Sequence, residues 1–270
     1  MTTAPLLSVE DLTVDYGAYR AVDGVSFTVE RGHTLAVVGE SGCGKSTIAR
    51  ALVRLLTPTS GRIVLDGTDI ARLPERRLRP LRSKVQMVFQ DPYGSLDPHL
   101  TAEAIVAEPM RDRSRRDRHA EAARLMDLVG LPSSALDRRP AEFSGGQRQR
   151  IGIARALATS PDLLVCDEAT SALDVSVQAQ VLKLLADIQA ERGLTYLFIS
   201  HNLAVVRQIS EQIVVMRSGR IVETGSTEEV LHAPRQEYTR ALRRAALDPA
   251  TMRGLKPRDV VRNLQGATAA

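Results

Sequence analysis

At 270 residues, with 43% hydrophobic and 25% charged side chains, the chain is long enough to bury a substantial core and is composed like an ordinary globular protein. Fibrous, low-complexity and wholly disordered polypeptides are excluded. Its 36 basic and 32 acidic residues are mostly interleaved, and only 3% of residues are aromatic, none of them Trp. It therefore lacks the basic stripe and stacking platform of a nucleic-acid binder.

The start alternates like a half-buried sheet, with Val9, Leu12 and Val14, then Val25, Phe27 and Val29, punctuated by Gly17, Gly24 and Gly32. This pattern predicts an antiparallel flap. The apolar run Leu35-Ala36-Val37-Val38 predicts a buried strand, followed by a Gly-rich loop and a helix carrying Ile48, Leu52, Leu55 and Leu56. Further strands are expected at 63–65 and 85–89, separated by an Arg-rich stretch at 74–82. From about 92 to 158 the texture turns helical, with one helix over 117–129 closed by Gly130 and a second over 147–158.

Strands resume at 163–166 and 195–200, joined by a helix through Val177, Val181, Leu184, Leu185 and Ile188 that stops at Gly193. Two short strands at 213–216 and 221–222 flank the turn Ser218-Gly219, and Ser226 to Glu229 offers a capping box for a last short helix. The fold class is thus α/β: a sheet core built on the strand, Gly-rich loop and helix at 35–56, which the next motif makes a P-loop core, with an antiparallel β subdomain and an inserted helical subdomain. One domain is expected over 1–247, with 248–270 as a C-terminal extension. No apolar run approaches the roughly 20 residues that span a bilayer, and the opening residues carry neither a basic leader nor a signal-type apolar core, so a cytosolic chain is expected. Cys43 and Cys166 are read as reduced, buried thiols.

Gly39-Glu40-Ser41-Gly42-Cys43-Gly44-Lys45-Ser46-Thr47 fits the P-loop pattern and lies between a buried strand and a helix, as phosphate binding requires. The glycines let backbone N–H groups approach phosphate oxygens, Lys45 reaches the β- and γ-phosphates, and Ser46 can ligate Mg²⁺. ATP and Mg²⁺ are the expected ligands. The strand ending in Asp167-Glu168 supplies two carboxylates. Asp167 is assigned to the metal and Glu168 to the attacking water as its base.

Phe143-Ser144-Gly145-Gly146-Gln147-Arg148-Gln149-Arg150 resembles the ABC signature motif in a Phe-for-Leu form. Ser144, Gly145, Gly146 and Gln147 at a helix start make a second phosphate nest, one that the P-loop's own nucleotide does not need. The resemblance runs from about residue 6 to 245 and implies the ATP-hydrolysing subunit of an ABC transporter. It implies further roles: Tyr16 stacks on adenine, and Gln90 senses Mg²⁺ and couples to the membrane subunit. Ser171-Ala172-Leu173-Asp174 crosses to the partner cassette, and His201 contacts the γ-phosphate.

Within the family, the P-loop wording, the run Phe89-Gln90-Asp91-Pro92-Tyr93-Gly94-Ser95-Leu96-Asp97-Pro98 and Glu237-Tyr238-Thr239-Arg240-Ala241-Leu242 resemble the dipeptide/oligopeptide/nickel importer group. The resemblance implies a peripheral subunit on the cytoplasmic face of the membrane. Its partners would be a second, related ATPase subunit, two permease subunits and an extracytoplasmic solute-binding protein, with no nucleic acid. A homodimer and a nickel or nickel-chelate substrate stay open. The cysteine cluster that many relatives carry near the C-terminus cannot form, because no cysteine follows Cys166. A non-transport ABC ATPase acting on nucleic acid or ribosomes is the alternative reading. It is disfavoured because P-loop and signature are joined without sustained heptads or a zinc module. The clusters Arg76-Arg77 and 113–118 are read as solvated faces or, alternatively, lipid-headgroup contacts.

Overall fold

The structure, a computed structural model, describes residues 4–91 and 93–247. Pro92 of the 89–98 run and the expected extension at 248–270 lie outside the described residues. The chain divides into two compact units: one from the segments up to Leu73 and from Leu197 onward, the other Pro74–Tyr196.

The first unit opens with β1 (Leu7–Tyr16) and β2 (Tyr19–Val29) as an antiparallel hairpin. Val9, Leu12 and Val14 all face inward, although the first two are an odd three positions apart. Register shifts flank Leu12, and Asp11 takes a left-handed φ of 47°; the extra residue of a bulge keeps the apolar side chains on one face. After β3 (Thr34–Gly39), buried at every residue, come α1 (Lys45–Leu52), β4 (Ser60–Leu65) and β5 (Thr68–Asp69). The small sheet runs in the order β2-β1-β4-β5, which is the antiparallel flap read from the alternation.

The second unit contains α2 (Glu75–Leu78), β6 (Val85–Val88), α3 (Ala102–Ala107), α4 (Arg115–Leu128), α5 (Gly145–Leu157), β7 (Leu163–Asp167) and α6 (Val175–Arg192). β6 and β7 pair in parallel, Val88 opposite Cys166. The strand expected to end at Phe89 ends one residue earlier, and the Phe89 ring is partly exposed. α4 starts before the expected 117 because Ser114 caps it, its hydroxyl accepting the Asp117 N–H. Ala102, Ile105, Val106, Ala122, Leu125, Met126 and Ile151 are buried where α3, α4 and α5 pack on one another. α6 stops where expected, with Gly193 left-handed at its end.

β8 (Thr195–Ile199) carries the chain from one unit to the other. Within the second unit the Thr195 N–H donates to the Asp162 carbonyl, and the buried Tyr196 hydroxyl donates to the Leu185 carbonyl at 2.8 Å. Within the first, the Ser200 N–H donates to the Val37 carbonyl of β3.

The chain then forms α7 (Leu203–Ile209), β9 (Gln212–Arg217), β10 (Arg220–Ser226), α8 (Thr227–His232) and α9 (Glu237–Leu247). β9 lies parallel to β3, and β10 returns antiparallel to β9 through Ser218 and Gly219. Both turn residues have positive φ, 48° and 80°, the twist that suits a two-residue hairpin. At Ser226 the expected box is seen through its first half, the hydroxyl accepting the Glu229 N–H. α7 and α9 were not among the expected elements. Both pack with β3 and β9 in one cluster that includes Ala36, Val38, Leu203, Val206, Ile213, Val215, Tyr238 and Leu242.

Candidate nucleotide site

In the first unit, the loop between β3 and α1 is shaped by contacts on three sides. The Gly219 N–H, from the β9–β10 turn, donates to the Cys43 carbonyl at 3.0 Å. A β-carbon on Gly44 would stand 2.4 Å from the Ala21 carbonyl of β2, and Gly44 has φ of 106°. Only glycine fits there, which is why the backbone can close around phosphate oxygens. From the third side, Tyr238 of α9 accepts the Glu40 N–H at 3.2 Å.

Lys45 is the first residue of α1 and is buried. Its Nζ donates to the carbonyls of Gly39 at 2.8 Å and Glu40 at 2.7 Å and lies 3.7 Å from Cys43 Sγ. Of the ammonium's three donors, two thus hold the loop, while a thiol is a weak acceptor that a phosphate oxygen easily outcompetes. Burial pushes the Cys43 thiol up, outweighing the pull of Lys45. Cys166 is driven to about 12 by burial. Both are closed, protonated thiols, as expected. Ser41 and Gly42 are exposed at the loop's tip, and Ser46 and Thr47 are half-buried on the first turn of α1.

Tyr16 lies opposite Tyr19 across the β1–β2 turn, and both rings are exposed. Sequence reasoning named Tyr16 alone; Tyr19 is presented beside it. His201 is exposed between β8 and α7. Its position is set by the residues around it: Ser200 Oγ accepts the Asn202 N–H, and Asn202 Oδ1 caps α7 through the N–H groups of Ala204 and Val205.

In the second unit, Asp167 is buried as the last residue of β7, and Glu168 follows it half-buried with φ of 47°. A non-glycine residue in that region costs roughly 1–3 kcal/mol, a strain that recurs where a side chain must be aimed. Gln90, two residues beyond β6, donates from Nε2 to Glu168 Oε2 at 2.8 Å.

The signature segment opens α5. Ser144 Oγ accepts the Gln147 N–H at 3.3 Å and Gln147 Oε1 accepts the Ser144 N–H at 2.9 Å, a reciprocal capping box. These two side chains cap each other, so the N–H groups of Gly145 and Gly146 at the helix start are the ones aimed along the axis toward an anion. A β-carbon on Gly146 would meet Val177 of α6 at 2.3 Å, so a side chain there would push the two helices apart.

α5 also holds the segment that carries Gln90. The Arg148 guanidinium lies 4.1 Å from the Tyr93 ring centroid, and Arg155, whose pKa burial lowers, donates to the Ser95 carbonyl at 2.8 Å. These contacts, like that of Tyr238, were missed from sequence. Their signal is only a polar residue on an otherwise apolar helix face.

Residues 22–171 match the ABC transporter family. The chain belongs to that family. It is 53% identical to the probable peptide ABC transporter ATP-binding protein y4tS of Sinorhizobium fredii, over 92% of this chain and 75% of that one. It is 50% identical to the oligopeptide transport ATP-binding protein AppF of Bacillus subtilis, over 84% of this chain and 70% of that one. It is equally identical to the OppD protein of Mycobacterium bovis, of which it spans 38%. Among solved structures, the dimeric post-hydrolysis ATP-binding cassette MJ0796 bound to ADP and Pi superposes with a TM-score of 0.74 at 28% identity, over 82% of this chain and 98% of that one. As an ABC family member the chain is an ATP-binding ATPase, and its α/β fold is that of the cassettes. No helix among the described residues is long and apolar enough to cross a membrane.

Proposed function

We propose that the chain is the ATP-hydrolysing subunit of a peptide importer, seated on the cytoplasmic face of the membrane against two permease subunits supplied by other chains. An extracytoplasmic solute-binding protein delivers the substrate. The names of the y4tS, AppF and OppD relatives support peptides as the cargo. The observation that carries the ATPase assignment is the Lys45 geometry, a buried ammonium anchored by two loop carbonyls at the start of a helix.

In this reading Tyr16 stacks on the adenine, and the N–H groups of the 39–47 loop bind the β- and γ-phosphates. Lys45 spends its remaining donor on a phosphate oxygen. The donor set suits a small hard cation: the Ser46 hydroxyl, the Asp167 carboxylate and the Gln90 amide oxygen would hold Mg²⁺, which neutralises developing phosphate charge. Glu168 accepts the proton of the attacking water, held by the Gln90 amide and aimed by its own strained backbone. His201 contacts the γ-phosphate. Ser144, Gly145 and Gly146 serve the nucleotide of a second cassette, a related but different chain.

The test uses Lys45→Ala in the transporter purified with its native membrane partners and reconstituted in vesicles. Loss of a charge-assisted phosphate contact predicts at least a tenfold fall in ATP affinity, and loss of ATP-driven uptake of a labelled oligopeptide. Unchanged ATPase activity would refute the P-loop assignment. ATP-driven uptake of labelled nickel in place of peptide would overturn the cargo alone.

A further inference from the structure

Tyr238 stands on the first turn of α9, in the 237–242 run to which no chemical role was attached, and its hydroxyl meets the P-loop. The residue it meets, Glu40, is 198 positions away in sequence. Its ring is buried in the cluster formed by β3, β9, α7 and α8, and the Arg217 guanidinium lies 5.0 Å from its centroid. Burial pushes the phenol up to about 12, so the group is a neutral hydroxyl throughout the physiological range. As such it accepts the Glu40 N–H, while the Glu40 carbonyl on the other side of the same residue receives Lys45 Nζ. The loop residue whose carbonyl positions the phosphate-binding lysine is therefore fixed by α9.

The helix itself is seated by a second contact. Glu223 of β10 accepts the N–H groups of Arg235 and Gln236 at 2.7 and 3.1 Å, immediately before α9. Burial would raise the Glu223 carboxyl, but the Thr239 hydroxyl, then these two backbone hydrogen bonds and the Arg235 charge, together outweigh it and hold its pKa below the ordinary glutamate value. α9 is thus pinned at its start and reaches the loop through one polar atom.

We propose that Tyr238 is a positioning residue for ATP binding, its hydroxyl presetting the Glu40 peptide so that Lys45 and the loop amides meet the phosphates without rearrangement. This rests on the P-loop reading above. It also makes α9, and whatever holds or displaces it, a control on nucleotide affinity. A preset loop avoids the ordering cost that binding would otherwise bear.

Tyr238→Phe removes the hydroxyl and leaves the ring. For the loss of one net hydrogen bond, MgATP should bind the full-length chain about fivefold more weakly. In the assembled transporter KM for ATP should rise by a similar factor with kcat within about twofold. Hydrogen exchange should quicken at the Glu40 amide while the β3 and β9 amides keep their protection, and the thermal midpoint should fall by no more than the about 2–4 °C that one hydrogen bond is worth. An unchanged ATP affinity overturns the proposal. So does weaker binding that arrives only with faster exchange throughout β3 and β9, since the residue would then be core packing alone. Lys45→Ala measured alongside separates the two readings: if it loses ATP and Tyr238→Phe does not, this inference fails and the P-loop reading stands.

Discussion

The amide of Gln90 donates a 2.8 Å hydrogen bond to the carboxylate of Glu168. Their strands are parallel neighbours, with Val88 opposite Cys166, so each side chain sits two residues past a paired position. In-register pairing of two buried strands is what delivers both groups to one place. Gln90 also precedes the segment α5 grips through Arg148 and Arg155, so movement of that helix would reach Glu168 through Gln90.

Gln90→Glu places a second carboxylate at hydrogen-bond distance from Glu168. Two such groups cannot both ionise at their ordinary values, and one is pushed upward. Because the base must be deprotonated, the acid limb of the ATPase pH profile should move to higher pH by about one unit or more. The check is kcat/KM for ATP against pH in the assembled transporter. An acid limb that stays put would place the base elsewhere than Glu168.

Glu168→Gln keeps an oxygen to accept the Gln90 amide but cannot take a proton from water. Hydrolysis should fall by about 10²–10⁴-fold while ATP still binds. Single-turnover hydrolysis measured beside nucleotide retention tests this, and near-normal turnover would remove Glu168 from the chemistry.

Ser144→Arg fills the start of α5 with a bulky side chain and breaks the reciprocal cap with Gln147. If the signature serves a second cassette's nucleotide, hydrolysis should be lost at the partner's P-loop and retained at this chain's own. Photo-crosslinked nucleotide, recovered after turnover, reports which chain is affected. Loss confined to this chain's P-loop contradicts the shared arrangement.

Glu223→Gln weakens the hold on the two N–H groups before α9. Since the folded carboxyl titrates below the ordinary value of 4.5, its stabilisation is fully present above pH 4.5 and disappears as pH falls through the lower folded pKa. Thermal melts at pH 7 should show the variant lower by about 2–4 °C, the effect of ~1 kcal/mol in a domain of this size. The gap should close in melts taken progressively further below pH 4.5. A gap of constant size across that range would mean the carboxylate's charge is not what seats the helix.

The P-loop, the strand-end carboxylates and the Ser144 segment could be read from sequence because each is a contiguous run whose chemistry depends on local backbone geometry. The strands were equally legible where every residue is buried, as in β3 and β7. What escaped is what long-range contact decides. The Gln90 to Glu168 bond joins residues 78 apart and the Tyr238 to Glu40 bond residues 198 apart, and neither distance leaves a mark on local periodicity. α7, with seven residues, is too short for a period to emerge. In α9 the buried Tyr238, Leu242 and Ala245 do fall on one helical face, but arginines between them dilute the pattern.

The unit that holds the P-loop is written in two pieces, one up to Leu73 and one from Leu197 onward, with the whole of the other unit encoded between them. During synthesis, β3 and the loop emerge long before β9, the Ser218-Gly219 turn and α9, the parts that brace them. At roughly 5–20 residues per second, the about 200 intervening residues take some 10 to 40 s. Throughout that interval the nascent chain exposes the apolar flank of β3 and holds a phosphate loop without its supports. Nucleotide competence therefore arrives late on the ribosome, only after α9 has been made.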